Sequence, residues 1–109
     1  MLNIIKNDTD KSYRIGYVLR ADRTQYAFRY ERVTAEDVQK IQYFQGLRTT
    51  TEEFIISTTK KFKFDILELS VILKGVRYRI LDSYKEDSHA SGGMFTSNYE
   101  VTTYMRVGK

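Results

Sequence analysis

Few residues in this sequence are of types that do chemistry. His89 is the only histidine and there is no cysteine, so neither a His pair nor a thiolate set can hold a metal. His89 lies in "DSHASGG", where Ser88 and Ser91 invite a nucleophile–base reading. A general base needs fixed geometry, and a Ser/Gly-rich stretch does not supply it. "SGG" lacks the spacing and the following Lys-Ser/Thr of a phosphate-binding loop. The carboxylate pairs Glu52–Glu53 and Glu86–Asp87 are sequence neighbours, which point to opposite faces of a strand and make no acid/base dyad. No enzyme, no cofactor and no metal site is expected.

Cations and aromatics offer more. Arg77 and Arg79 share a strand face, with Arg14, Arg29 and Arg32 on other strands, and the chain has nine Tyr and six Phe. A small barrel with exposed aromatics and basic residues can bind single strands by stacking. The alternative is that the aromatics fill the core while the arginine stems cover its outside. Net charge +4 permits a nucleic-acid neighbour and also suits simple solubility.

The elements that must position these groups read mostly as strands. In 109 residues there is room for one domain, spanning 1–109. The aromatic share of 14% and the many Val, Ile and Thr favour strands, and with no proline the turns rest on Gly, Asn, Asp and Ser. Tyr13–Leu19 alternates, with Tyr13, Ile15, Tyr17 and Leu19 on one face and Arg14, Gly16 and Val18 on the other. Arg20–Thr24 is a turn, and Gln25–Val33 alternates again, making a hairpin. At Thr34 the period changes: an N-cap, acids in the first turn, Val38, Ile41 and Phe44 at helical spacing, and Gly46 as a stop predict one short helix of two to three turns. Phe54–Thr59 is a short strand and Lys60–Leu69 is mixed. Val71–Leu73 and Val76–Leu81 flank Lys74-Gly75, a hairpin connection. "DSYKEDSHASGGMFTSN" (82–98) reads as a long polar excursion, and Tyr99–Val107 as the last strand, with Tyr99, Val101, Thr103, Met105 and Val107 on one face. The expected fold is mainly β: a small antiparallel β-barrel or sandwich with one short helix and a long loop inserted between core strands.

No apolar run approaches the roughly 18–20 residues that span a bilayer. "MLNIIKNDTDKSY" turns polar after four apolar residues and is not a signal peptide. With no cysteine, synthesis in a reducing compartment and no membrane partner are expected.

The order of these parts carries a resemblance. A hairpin, then "VTAEDVQKIQYFQGL" with its T-x-E-D-x-x-x-x-Q spacing, a Thr-rich stretch, the strand "FIISTT", and the late hairpin formed by Val71, Gly75, Tyr78 and Ile80 resemble the head-closure (stopper, or head–tail connector) proteins of long-tailed bacteriophages. The likeness covers about Tyr17 to Val107. Two departures are the lack of proline and a longer excursion around Ser88–Met94.

The resemblance implies a β-barrel with an insertion between its second and third core strands, Thr34–Glu53 here. It implies a virion protein of the neck, assembled in the host cytoplasm as a homo-oligomeric ring (hexamer or dodecamer). A portal or adaptor protein would lie above it and tail terminator or tail tube proteins below. Non-specific contact with packaged double-stranded DNA would occur at a channel-facing gate. The gate falls on Gly46, Leu47, Arg48, Thr49, Thr50, Thr51, Glu52 and Glu53. The excursion Ser88, His89, Ala90, Ser91, Gly92, Gly93 and Met94 is the candidate inter-ring contact. A channel that DNA must cross should not grip phosphates, and hydroxyls and acids with Arg48 as the one cation suit that surface. Leu47 is expected to meet its counterpart in neighbouring subunits at a closed gate. A tail-completion or other neck component is the alternative. A single-stranded nucleic-acid-binding barrel is the alternative of another class.

Overall fold

The hairpins predicted from period and turn chemistry become a closed barrel in the computed structural model, which describes residues 14–89 and 99–109. Six strands occur, β1 (Arg14–Leu19), β2 (Gln25–Arg32), β3 (Glu53–Thr58), β4 (Ser70–Leu73), β5 (Val76–His89) and β6 (Tyr99–Gly108). They close antiparallel in the order β1-β2-β3-β6-β5-β4. Closure matters for so small a sheet because it leaves no unpaired edge. Among the described residues no helix is long and apolar enough to cross a membrane.

Two turns set the register of the hairpins. Between β1 and β2, Asp22 accepts from the Thr24 backbone N–H at 3.0 Å and also from its hydroxyl. This is the local side-chain-to-backbone bond that makes Asp a turn residue. Between β4 and β5, Lys74 (φ 53°) and Gly75 (φ 79°) are both left-handed, as a two-residue turn matched to strand twist requires.

The interior holds Val18, Phe28, Tyr30, Phe54, Ile56, Val71, Leu73, Ile80, Met105 and Val107, with Ile66 closing one end. On β1 the inward face is Gly16 and Val18, while Ile15 and Tyr17 face outward at 52% and 40% exposure. The period of two is right there, but the more apolar face is the outer one. The reason is steric: a Cβ at Gly16 would sit 2.7 Å from Leu73 Cδ2 and 3.3 Å from Phe28 Cε1, so the strand lies against its neighbours where only glycine fits.

The reading of residues 82–98 as a polar excursion is corrected for its first half. β5 continues to His89, paired with β6 from Asp82↔Arg106 to His89↔Tyr99. Residue 81 is an extra residue between the pairs Ile80↔Val107 and Asp82↔Arg106. Such a bulge reverses which side chains face inward beyond it. Ser83 therefore pairs with buried Met105 while Tyr84 pairs with Tyr104 on the outside. Polar composition hid this strand because its ladder is completed by β6, a non-local partner. Residues 90–98 lie outside the described residues.

The helix is shorter than predicted. α1 (Ala35–Lys40) ends at Ile41, and a 3₁₀ turn over Gln42–Phe44 follows. Thr34 is the N-cap, its hydroxyl accepting from the Asp37 N–H at 3.1 Å. Gly46 stops the turn at φ 86°, the left-handed position expected of it.

Candidate functional site

The insertion between β2 and β3 is a built element with its own small core. β3 reads Phe54-Ile55-Ile56, three apolar residues in a row and all buried. In a strand successive side chains alternate faces, so such a run needs cover on both sides. Phe54 and Ile56 face the barrel interior, and Ile55 faces outward into a second cluster with Val38 and Phe44. Val33, Ile41, Leu47, Tyr84 and Tyr104 pack around it. Ile55 is fully buried there; covering a side chain of that size stabilises by about 1.5–3 kcal/mol.

Aromatic contacts and one carboxylate extend this docking onto β5. Phe44 meets Tyr84 and Tyr104 edge-on at 6.1 and 6.3 Å between ring centroids. Tyr43 lies flat on Tyr84, and its hydroxyl donates to the Asp82 carboxylate, with oxygens at 3.2 and 3.1 Å. That bond, and the negative charge of Asp82, push the Tyr43 phenol above its usual range. The Tyr104 hydroxyl is also pushed up, first by burial and then by Glu86, Tyr84 and Asp37.

The candidate gate residues leave this platform along a tethered path. Gln39 fixes its start with both ends of one amide: Oε1 accepts from the Gly46 N–H, and Nε2 donates to the Leu47 carbonyl, each at 2.8 Å. Leu47 packs half-buried against the second cluster of its own subunit. Thr50 fixes the far end. Its N–H donates to the Glu53 carbonyl at 2.8 Å, and its hydroxyl accepts from the N–H groups of Glu52 and Glu53 at 3.1 and 3.0 Å. Its carbonyl accepts from the Arg32 guanidinium at 3.0 Å. That guanidinium also lies 4.1 Å from the centre of the Phe54 ring, a cation–π contact at the barrel mouth. Glu53 begins β3 and binds Arg106 at 2.6 Å. Arg48, Thr51 and Glu52 are thus left exposed, with Thr49 half-buried.

The eight candidate gate residues form one continuous rim beside the mouth where β3 starts. They divide into anchors (Gly46, Leu47, Thr50, Glu53) and a crest (Arg48, Thr49, Thr51, Glu52). A hollow of about 550 Å³ lies beside them, lined by Tyr43, Phe44, Gly46, Leu47, Asp82 and Arg106 among others. Of the other candidate contact segment, Ser88 and His89 end β5, paired with Glu100 and Tyr99, and Ala90, Ser91, Gly92, Gly93 and Met94 lie outside the described residues. Sequence reasoning missed Gln39, Tyr43, Asp82 and Tyr84. The signal for the last two was alternation resuming after the bulge, with Asp82, Tyr84 and Glu86 on one face. Among the described residues no group of three or more His, Asp or Glu can hold a metal ion.

Compared with protein-family models, with curated proteins and with solved structures, the chain matches none of them.

Proposed function

We propose that the chain is a structural virion protein of the head–tail junction of a long-tailed bacteriophage, a head-closure protein that assembles as a ring. Its partners in this reading are copies of itself, a portal or adaptor protein above, and tail proteins below. The observation that carries the reading is the insertion between β2 and β3, docked on the barrel wall by Val38, Phe44 and Ile55. It has the position and the internal support of a part that must stay shaped while its crest meets something else.

The crest supports a gate role by its chemistry. Threonine hydroxyls and the Glu52 carboxylate touch DNA without holding it, because affinity for a duplex comes chiefly from cation–phosphate contacts. Arg48 is the one cation between Gly46 and Glu53. A ring repeats a modest head-to-tail contact many times, so each subunit needs no large patch.

The test separates assembly from retention. Native mass measurement reports whether the chain forms rings or joins a portal complex; a strict monomer that never enters the particle overturns the reading. Replacing the crest alone, as Arg48→Ala with Thr49→Ala and Thr51→Ala, leaves Leu47, Thr50 and Glu53 in place. Filled heads carrying this variant should assemble and leak DNA. Unchanged DNA retention removes the crest from the mechanism.

A further inference from the structure

The end of the barrel opposite the insertion is closed by residues 60–69, the stretch "KKFKFDILEL" whose hydrophobic pattern is mixed. Here "KKFKF" alternates so that the phenylalanines turn inward and the lysines outward. Phe62 and Phe64 are half-buried and stacked, 5.7 Å apart with planes at 14°, and Lys60, Lys61 and Lys63 are exposed. Phe62 reaches the core through Phe28, edge-on at 5.6 Å, and Phe64 meets Tyr26 edge-on at 5.0 Å. The Arg20 guanidinium lies 4.6 Å from the Phe64 ring centre and 5.8 Å from that of Tyr26.

Two hollows flank this aromatic ridge. One, of about 230 Å³, is walled by Arg20, Tyr26, Phe62 and Phe64 with Lys60, Lys61 and Lys63 at its rim. The other, of about 340 Å³, lies toward β5 and β6 and adds Lys85, Ser83, Asp65 and Thr103. Lys61 borders both. Among the described residues neither of the ion pairs Lys40–Asp37 and Arg106–Glu53 involves a lysine of this end. Two acids stand beside the five cations: Asp65, at the edge of the second hollow, accepts from the Leu67 N–H at 3.1 Å, and Asp22, beside Arg20, accepts from Thr24.

Capping the core explains the two phenylalanines. It does not explain five cations around them, since any polar residues would keep a cap hydrated. Clustered cations over low-dielectric aromatic walls concentrate positive potential where an anion would sit. Hollows at or below the small end of the usual ligand range of about 300–1,000 Å³ suit single planar rings. Phosphates at a spacing that lysines can follow, joined to flat rings that enter between aromatics, describe unpaired nucleotides. A duplex offers the phosphates but keeps its bases stacked away from the hollows. We propose that this end of the barrel, built from Arg20, Tyr26, Lys60–Phe64 and Lys85, is a binding site for single-stranded nucleic acid. The inference is independent of the neck reading and uses no residue of the insertion.

The experiment is fluorescence anisotropy with a labelled single-stranded DNA of about 12 nucleotides, within the roughly 4–16 that one small barrel covers. A duplex of the same sequence is run in parallel, and both are titrated between about 50 and 200 mM salt. The single strand is expected to bind more tightly than the duplex and to weaken as salt rises. Lys61→Ala with Lys63→Ala should lower the log–log salt slope by about 1.4, since each single-strand phosphate contact contributes about 0.7. Lys40→Ala with Lys74→Ala removes the same charge from exposed positions elsewhere and should leave the slope unchanged. Unaltered thermal unfolding of both variants shows that the fold is kept. Three results overturn the site: no salt-dependent binding, equal affinity for the duplex, or an equal loss in the Lys40/Lys74 variant. Ring formation, read separately by native mass, decides the neck proposal and leaves this one untouched.

Discussion

The ring of Tyr43 lies on that of Tyr84 with centroids 4.5 Å apart and planes only 5° from parallel. One belongs to the insertion and the other to the part of β5 beyond its bulge. This stack joins the insertion to β5, and it exists because the extra residue 81 turns Tyr84 to the outside. Tyr43 is 51% exposed, so its contribution is orientation of the insertion more than burial. Phe44, beside it and buried at 4% exposure, supplies the apolar contact. Phe44→Ala is expected to cost about 3–5 kcal/mol, the range for removing a buried aromatic. Chemical denaturation measures it. Tyr43→Phe keeps the stack and loses only the bond to Asp82, so it should disturb the insertion far less than Phe44→Ala. Hydrogen exchange at the Val38 and Leu47 amides would show the difference.

Thr50 is the one threonine of the three whose side chain organises the loop. Thr50→Val retains the shape and strips the acceptor from two backbone N–H groups, at an expected cost of about 1 kcal/mol in this exposed setting. Thr50→Ser should be near neutral. Thr49→Val and Thr51→Val, whose hydroxyls hold no such pair, should differ little from wild type by the same denaturation measurement.

What was legible in the sequence followed from local chemistry. Lys74-Gly75, the Asp22–Thr24 turn, the Thr34 cap and the Gly46 stop act within a few residues, so their meaning is written beside them. The strand faces of β2 and β6 were legible because Phe28 and Tyr30, and Thr103, Met105 and Val107, alternate with polar neighbours. What was hidden depended on partners distant in sequence. Ile15 and Tyr17 look like a core face until Gly16 is seen pressed against Leu73. Asp82–His89 looks like solvent-exposed loop until β6 supplies its ladder. The exposed crest could be placed as a loop, but not divided into anchors and free residues, because Gln39 and Arg32 reach it from other elements.

The β4–β5 turn carries an avoidable strain. Lys74 holds φ 53°, a conformation that costs an ordinary L-residue about 1–2 kcal/mol and that Asn tolerates better. Lys74→Asn is expected to stabilise the protein by up to about 1 kcal/mol, seen as a raised denaturation midpoint at unchanged denaturant slope. Gly16→Ala tests the opposite case. Its φ is unremarkable, but its Cβ would press on Leu73 Cδ2 at 2.7 Å and on the Ile72 carbonyl at 3.3 Å. Overpacking of this kind costs about 1–3 kcal/mol.

Three tyrosines make the fold sensitive to alkali. Burial pushes the hydroxyl of Tyr30 above its ordinary value, with Tyr78 adding and Arg14 opposing. Burial does the same for Tyr104, and the Asp82 hydrogen bond does so for Tyr43. Above about pH 10 the unfolded chain releases these protons while the folded chain still holds them. The unfolded state then binds fewer protons, so stability falls as pH rises. Below that pH both states are protonated and the three groups leave stability flat. Urea midpoints followed from about pH 8 to pH 11 should therefore hold level and then drop. Tyr104→Phe and Tyr30→Phe should each shallow the drop, because a phenylalanine has no proton to lose.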